Sequence, residues 1–157
     1  RRDLIKDGGE MKAMKLTVPA QNISDQAAHA AVAAAVAKGR ELGVAMNAAV
    51  VDAGGNLVAF LRASGAFLPS IAIAQDKAYT AAAFGMSTDT LCRAVSEPAV
   101  LRDGIAARPG VVLFGGGFPI VVEGQVVGGI GCSGGSEDHD RACAHAGIAA
   151  IGAAIGD

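Results

Sequence analysis

The sequence predicts an α+β domain with one central antiparallel sheet flanked by helices. Three observations predict it. Alanine-rich segments with helical spacing stop at glycines, two β-branched runs surround a Gly-Gly turn, and a strand-rich third part ends in one more capped segment. No internal repeat or linker divides residues 20–155, and 157 residues suit a single sizeable core.

The elements follow in order. Asn22 or Ser24 can cap a first helix that runs to about Leu42 and stops at Gly43, with Val32 and Val36 four apart among alanines. Met46–Val51 and Leu57–Arg62 read as strands around Asp52-Ala53-Gly54-Gly55-Asn56, a strong hairpin signal. A second helix begins after Pro69 and ends near Phe84-Gly85, where glycine is the usual stop. Ser87-Thr88-Asp89 opens a short helix through Leu91 and Val95, barred by Pro98, and residues 99–108 read as a further short helix or a turn. The third part holds strands Val111–Phe114, Pro119–Glu123 and Gln125–Cys132, interrupted by Gly115-Gly116-Gly117. Ser136 caps a last helix whose first turn, Glu137-Asp138, suits the positive end of the helix dipole.

Composition excludes several function classes. Thirteen Lys+Arg against fifteen Asp+Glu give net −2 and no basic run, so the footprint of a nucleic-acid binder is missing. With no Trp and one Tyr, platforms for stacked bases are scarce. No stretch reaches the roughly 18 strongly apolar residues of a membrane-spanning helix. Cys92, Cys132 and Cys143 are odd in number and form no CxxC, which favours a reducing compartment; a cytoplasmic location is expected. Residues 1–13 begin RRDLIKDGGE, unlike the rest, and are expected to be a disordered leader of upstream or cloning origin. The domain proper is taken as 14–157.

Several residues can carry chemistry. The bare amides of Gly115, Gly116 and Gly117 can approach an anion, although no GxxxxGK[ST] motif accompanies them and a strand, not a helix, follows. Gly128-Gly129-Ile130-Gly131 reads as close backbone approach inside the sheet. Lys77 lies on a helix among small residues and either snorkels to water or reaches into a space they leave, where its cation would hold a carboxylate or act as a base. Asp52, Asp138 and Asp140 read as cap and turn residues or as catalytic carboxylates. His139 and Cys143 share a helix face without a second ligand pair, so no metal site is assigned. His29, on the first helix, can ligate haem iron or serve structure alone.

Three segments together, AAVVDAGGNLVAFLR (48–62), AQDKAYTAAAFGMST (74–88) and GVVLFGGGFPIVVEGQVVGGIGCSGGSEDHDRACAHAG (110–147), resemble the GlcG/HbpS-like, or haem-degrading domain, family, which includes the C-terminal domain of PduO-type proteins. The resemblance implies a PAS/profilin-like fold with a five-stranded antiparallel sheet, homo-oligomers up to octamers, and tetrapyrrole or small-ligand binding in catabolic settings. The matching positions here include Asp52, Lys77, Thr80, Phe84, Gly115–Gly117, Pro119 and Asp140; Cys132 stands where the family usually has a branched aliphatic. The expectation is a homo-oligomer that binds a haem-like tetrapyrrole or a small carboxylated metabolite. Its pocket would comprise Lys77, Phe84, Phe114, Gly115, Gly116, Gly117, Phe118 and Pro119, with His29 as a further candidate ligand. The rival is a small-carboxylate isomerase, lyase or hydrolase with Lys77 as base or clamp, helped by Asp140 or Asp52.

Overall fold

The computed structural model describes residues 4–7 and 10–157, with side chains from residue 13 onward. Leu4–Asp7 (β1) and Glu10–Ala13 (β2) pair as a small antiparallel sheet of their own, in the segment expected to be a disordered leader. Residues 1–3, 8 and 9 of that segment lie outside the described residues.

The main sheet has five antiparallel strands. Asn47–Asp52 (β3), Leu57–Arg62 (β4), Gly117–Val122 (β5), Gln125–Ser133 (β6) and Ala154–Ile155 (β7) lie in the order β4-β3-β6-β5-β7. Five helices accompany them: Asp25–Glu41 (α1), Pro69–Phe84 (α2), Thr88–Ala94 (α3), Ala99–Ala106 (α4) and Glu137–Ala150 (α5). The predicted α+β class and most element positions agree with these bounds.

Two differences stand out. Val111–Phe114 is not a strand, because its backbone bonds elsewhere: the Val112 amide donates to Thr80 Oγ1 at 3.0 Å instead of to a neighbouring strand. The fifth strand is instead the two-residue β7, paired to β5 through Ala154 and Ile155.

The period-2 alternation of a strand sorts the core into two layers. Ala48 and Val50 of β3, Ile130 and Cys132 of β6, and Phe118 and Ile120 of β5 face α1 and α5, closing the larger core with Ala28, Val32, Cys143 and Ile148. On the other face Ala49 and Val51 meet Ala74, Ala78 and Ala82 of α2. Gly129 and Gly131 of β6 lie directly beneath α2. A methyl group at Gly131 would run into the Ala74 carbonyl, and one at Gly129 into that of Ala78. Glycines in β6 and alanines in α2 therefore let helix and sheet approach backbone to backbone, the close approach expected from sequence.

Candidate functional site

α2 delivers Lys77 to the centre of the molecule, and α5 delivers Asp140. Ser136 starts α5: its hydroxyl accepts from the His139 amide at 3.2 Å while His139 Nδ1 accepts from the Ser136 amide at 3.4 Å, a reciprocal cap. That cap fixes the first turn, which carries Glu137, Asp138, Asp140 and Arg141. Lys77 is fully buried and Asp140 is 4 % exposed. Lys77 Nζ donates to Asp140 Oδ2 at 2.7 Å and to the Cys132 carbonyl at 2.9 Å, and stands 4.9 Å from the centre of the Phe114 ring. Asp140 Oδ1 accepts from the Gly135 amide at 3.2 Å. Each ion is thus paired and further satisfied by hydrogen bonds, which a buried charge requires.

The triple glycine wraps this pair. Gly116 has φ +114°, a conformation that side chains disfavour, and a methyl there would stand 2.7 Å from Asp140 Cβ and 2.9 Å from Lys77 Nζ. A methyl on Gly115 would meet the Arg141 guanidinium at 2.7 Å, and one on Gly117 would meet Thr88 Cγ2 at 2.7 Å. The Gly117 amide donates to Thr88 Oγ1 at 3.1 Å and the Gly115 amide to Glu137 Oε1 at 3.4 Å. Two of these amides are accordingly engaged within the chain rather than offered to an anion.

Lys77 and the glycines are neighbours, as the sequence leads one to expect, and they meet at contact distance: a methyl on Gly116 would stand 2.9 Å from Lys77 Nζ. The remaining candidates scatter. Phe114 covers the ammonium and is 44 % exposed, and Phe84 lies partly exposed at the end of α2. Phe118 and Pro119 are buried in β5, Phe118 with its ring 4.4 Å from that of His145. His29 is exposed on α1. Asp52 is a turn residue: Oδ1 accepts from the Gly54 and Asn56 amides at 2.9 Å, and the Asn56 bonds hold its carboxyl below the ordinary value.

Sequence reasoning missed Arg141. Its guanidinium grips Asp89 of α3 in two parallel bonds, Nη2–Oδ1 at 2.6 Å and Nε–Oδ2 at 3.0 Å, and also reaches Glu137 and Asp138. These bonds lower the Asp89 pKa and raise that of Arg141. One signal was available, two carboxylates, Asp138 and Glu137, three and four residues from one arginine on a capped helix. Beside it opens a cavity of about 310 Å³ lined by Phe118, Arg141, His145, Arg93 and Asp157. Arg93 donates there to the Thr90 hydroxyl at 2.8 Å. Among the described residues no group of three His, Cys, Asp or Glu side chains could hold a metal ion, and no helix is long and apolar enough to cross a membrane.

Residues 23–149 match a family model described as haem degrading protein HbpS-like. The chain belongs to the HbpS-like family. It is 40 % identical over 134 residues to the corrinoid adenosyltransferase PduO of Citrobacter freundii, a match that covers 85 % of this chain and 40 % of that protein. The HbpS-like chain therefore spans about 40 % of the length of that relative. The fold is similar to the crystal structure of Klebsiella pneumoniae protein ORFY, with TM-score 0.83 and 30 % identity over 90 % of this chain and 98 % of the other. It is also similar to the crystal structure of a PduOC:heme complex, with TM-score 0.78 and 33 % identity over 87 % of this chain and 99 % of the other.

Proposed function

We propose that this HbpS-like chain is a homo-oligomeric small-ligand-binding protein whose ligand is a haem-like tetrapyrrole. The similarity to a haem complex over almost the whole domain is the observation that carries this reading. The residues present suit the group. His29 is exposed and, among the described residues, its imidazole makes no hydrogen bond, so a ring nitrogen would be free to hold the iron. One turn further along α1 stands Ala33, and Ala30 adjoins His29, so small side chains border the imidazole and leave room for a flat macrocycle. Haem, when bound, supplies iron-centred redox and oxygen chemistry; the chain supplies ligation and orientation.

Assembly fits the exposed apolar surface. α4 buries none of its side chains and presents Val100 and Leu101, while Phe67, Leu68 and Phe114 are also exposed. A second copy covering such residues would shield a tetrapyrrole that one chain leaves open.

A second ligand class is favoured by one observation. Arg93 and His145 line the 310 Å³ cavity beside Phe118, Arg93 has no ion pair among the described residues, and of the two carboxylates in the wall Asp89 is held by Arg141 and Asp157 by the Ser87 and Thr90 hydroxyls. That combination suits a small carboxylate. The enzyme reading gains less, because Lys77 and Asp140 are spent on one another and neither lines this cavity.

Haemin titration of the purified protein tests the proposal. A saturable Soret shift at a fixed stoichiometry is expected, and it should weaken at least about tenfold in His29→Ala, the size of losing one good ligand contact. A wild-type titration without saturation would remove haem and leave the carboxylate.

A further inference from the structure

A cavity of about 350 Å³ lies on the α2 side of the sheet, between that helix, the β3–β4 turn and the loop after α4. It is separate from the Arg141 cavity and shares no lining residue with it. Its walls are chemically mixed. Val51, Leu57 and Pro109 are apolar; Asp76 and Tyr79, three apart on α2, supply a carboxylate and an aromatic ring.

The ring is held in place. A methyl on Gly55 would stand 2.7 Å from Tyr79 Cδ2, and one on Gly110 would stand 3.3 Å from Cδ1, so the two glycines flank the ring closely. The Gly110 loop is pinned to α2 in turn, since Thr80 Oγ1 donates to the Gly110 carbonyl at 3.0 Å and accepts from the Val112 amide at 3.0 Å. The wall is therefore pre-formed, which lowers the ordering cost of binding.

Asp76 is the unspent group. It is partly buried, and among the described residues it makes neither an ion pair nor a side-chain hydrogen bond. A carboxylate set beside an aromatic ring and apolar walls has the chemistry for a cation with a short hydrocarbon tail. The ammonium would meet Asp76 and the face of the Tyr79 ring, and the tail would cover Val51 and Leu57. A hydrated metal ion suits it less, because the site offers one carboxylate where hard cations collect several oxygen ligands.

We propose that this cavity is a binding site for a small primary ammonium compound, set by Asp76 and Tyr79 and independent of the haem reading.

The sequence supplies its own probe. Tyr79 is the single tyrosine and there is no tryptophan, so intrinsic fluorescence reports on this cavity alone. Titration with n-pentylammonium should give a saturable change in tyrosine emission, and n-pentanol of similar shape should bind at least about tenfold more weakly, the factor carried by 1.4 kcal/mol. Asp76→Asn should lose the same factor. Tyr79→Phe removes the optical signal, so amide chemical shifts at residues 51–57 and 109–110 provide the second readout, in wild type and both variants. Equal binding of amine and alcohol, no saturation by either readout, or an unchanged affinity in Asp76→Asn would overturn the proposal.

Discussion

Lys77 shows how one side chain can be decisive without being open to a ligand. Its ammonium and the Asp140 carboxylate are both out of water, so removing one leaves the other as an uncompensated buried charge. Lys77→Met is expected to cost about 3–5 kcal/mol in urea unfolding, whereas the double variant Lys77→Met/Asp140→Leu should recover a substantial part of that loss. Equal losses in single and double variants would show that the ion pair is not what the site depends on. Asp89 makes a separate prediction. Its folded pKa lies below the ordinary 3.8 because Arg141 bonds its charged form. A depressed carboxylate adds stability above its unfolded pKa and loses it as pH falls through the folded value. Asp89→Asn should therefore destabilise at pH 7, with the difference from wild type shrinking only as pH falls below 3.8 and vanishing once it has passed the lower folded value. Burial lifts the Cys143 thiol to about 11 and pushes Cys132 up as well, while Cys92 is only half-buried. A thiol reagent at pH 8 should label Cys92 first, with the other two reacting on unfolding. Lys77 itself was legible in the sequence as an ammonium among small residues with a choice between water and a cavity. The structure takes the second course, burying the ammonium against a carboxylate; that the partner is Asp140, 63 positions away, is what spacing along one helix cannot reveal.

At the scale of elements, glycine positions divide by what surrounds them. Gly116→Ala places a methyl against Asp140, Cys132 and Lys77 at positive φ, and a loss of about 2–4 kcal/mol is expected from overpacking and backbone strain together. Gly104, exposed in the middle of α4 with nothing near its missing side chain, should behave in the opposite way. Its change to Ala should add about 0.5–1 kcal/mol through helix propensity. Thermal unfolding of the two variants checks both signs. Helices α1, α2, α3 and α5 were legible because Ser24, Pro69, Ser87 and Ser136 mark their starts in the sequence. The hairpin was legible from its Gly-Gly turn. Val111–Phe114 misled because β-branched residues score as strand wherever they fall, while the Thr80 hydroxyl decides where that backbone bonds. β7 was hidden because two residues carry no periodicity.

For the whole molecule, one sheet divides two unlike halves. The α1/α5 side holds the larger core, and the α2 side is a thin layer of glycine and alanine beneath which little side-chain volume fits. The polar centre, where Lys77, Asp140 and the triple glycine meet, joins β6, the approach to β5, and both helical layers. It joins the two sides through contacts of its own, while the cavities at Arg141 and Tyr79 open elsewhere. Sequence brought Lys77 and the glycines together, but as the walls of a ligand pocket and not as a polar centre closed by Asp140. It did not show which surfaces stay open, since openness is set by contacts between distant elements.

Co-elution answers the central claim most directly. Protein mixed with excess haemin is passed through a sizing column with light scattering and absorbance detection, and His29→Ala is run beside it. A multimer carrying haem in a constant ratio to chain is expected, with the variant eluting at the same mass but largely stripped of colour. A monomer, or a multimer from which haem separates in the wild type as it does in the variant, would contradict that claim.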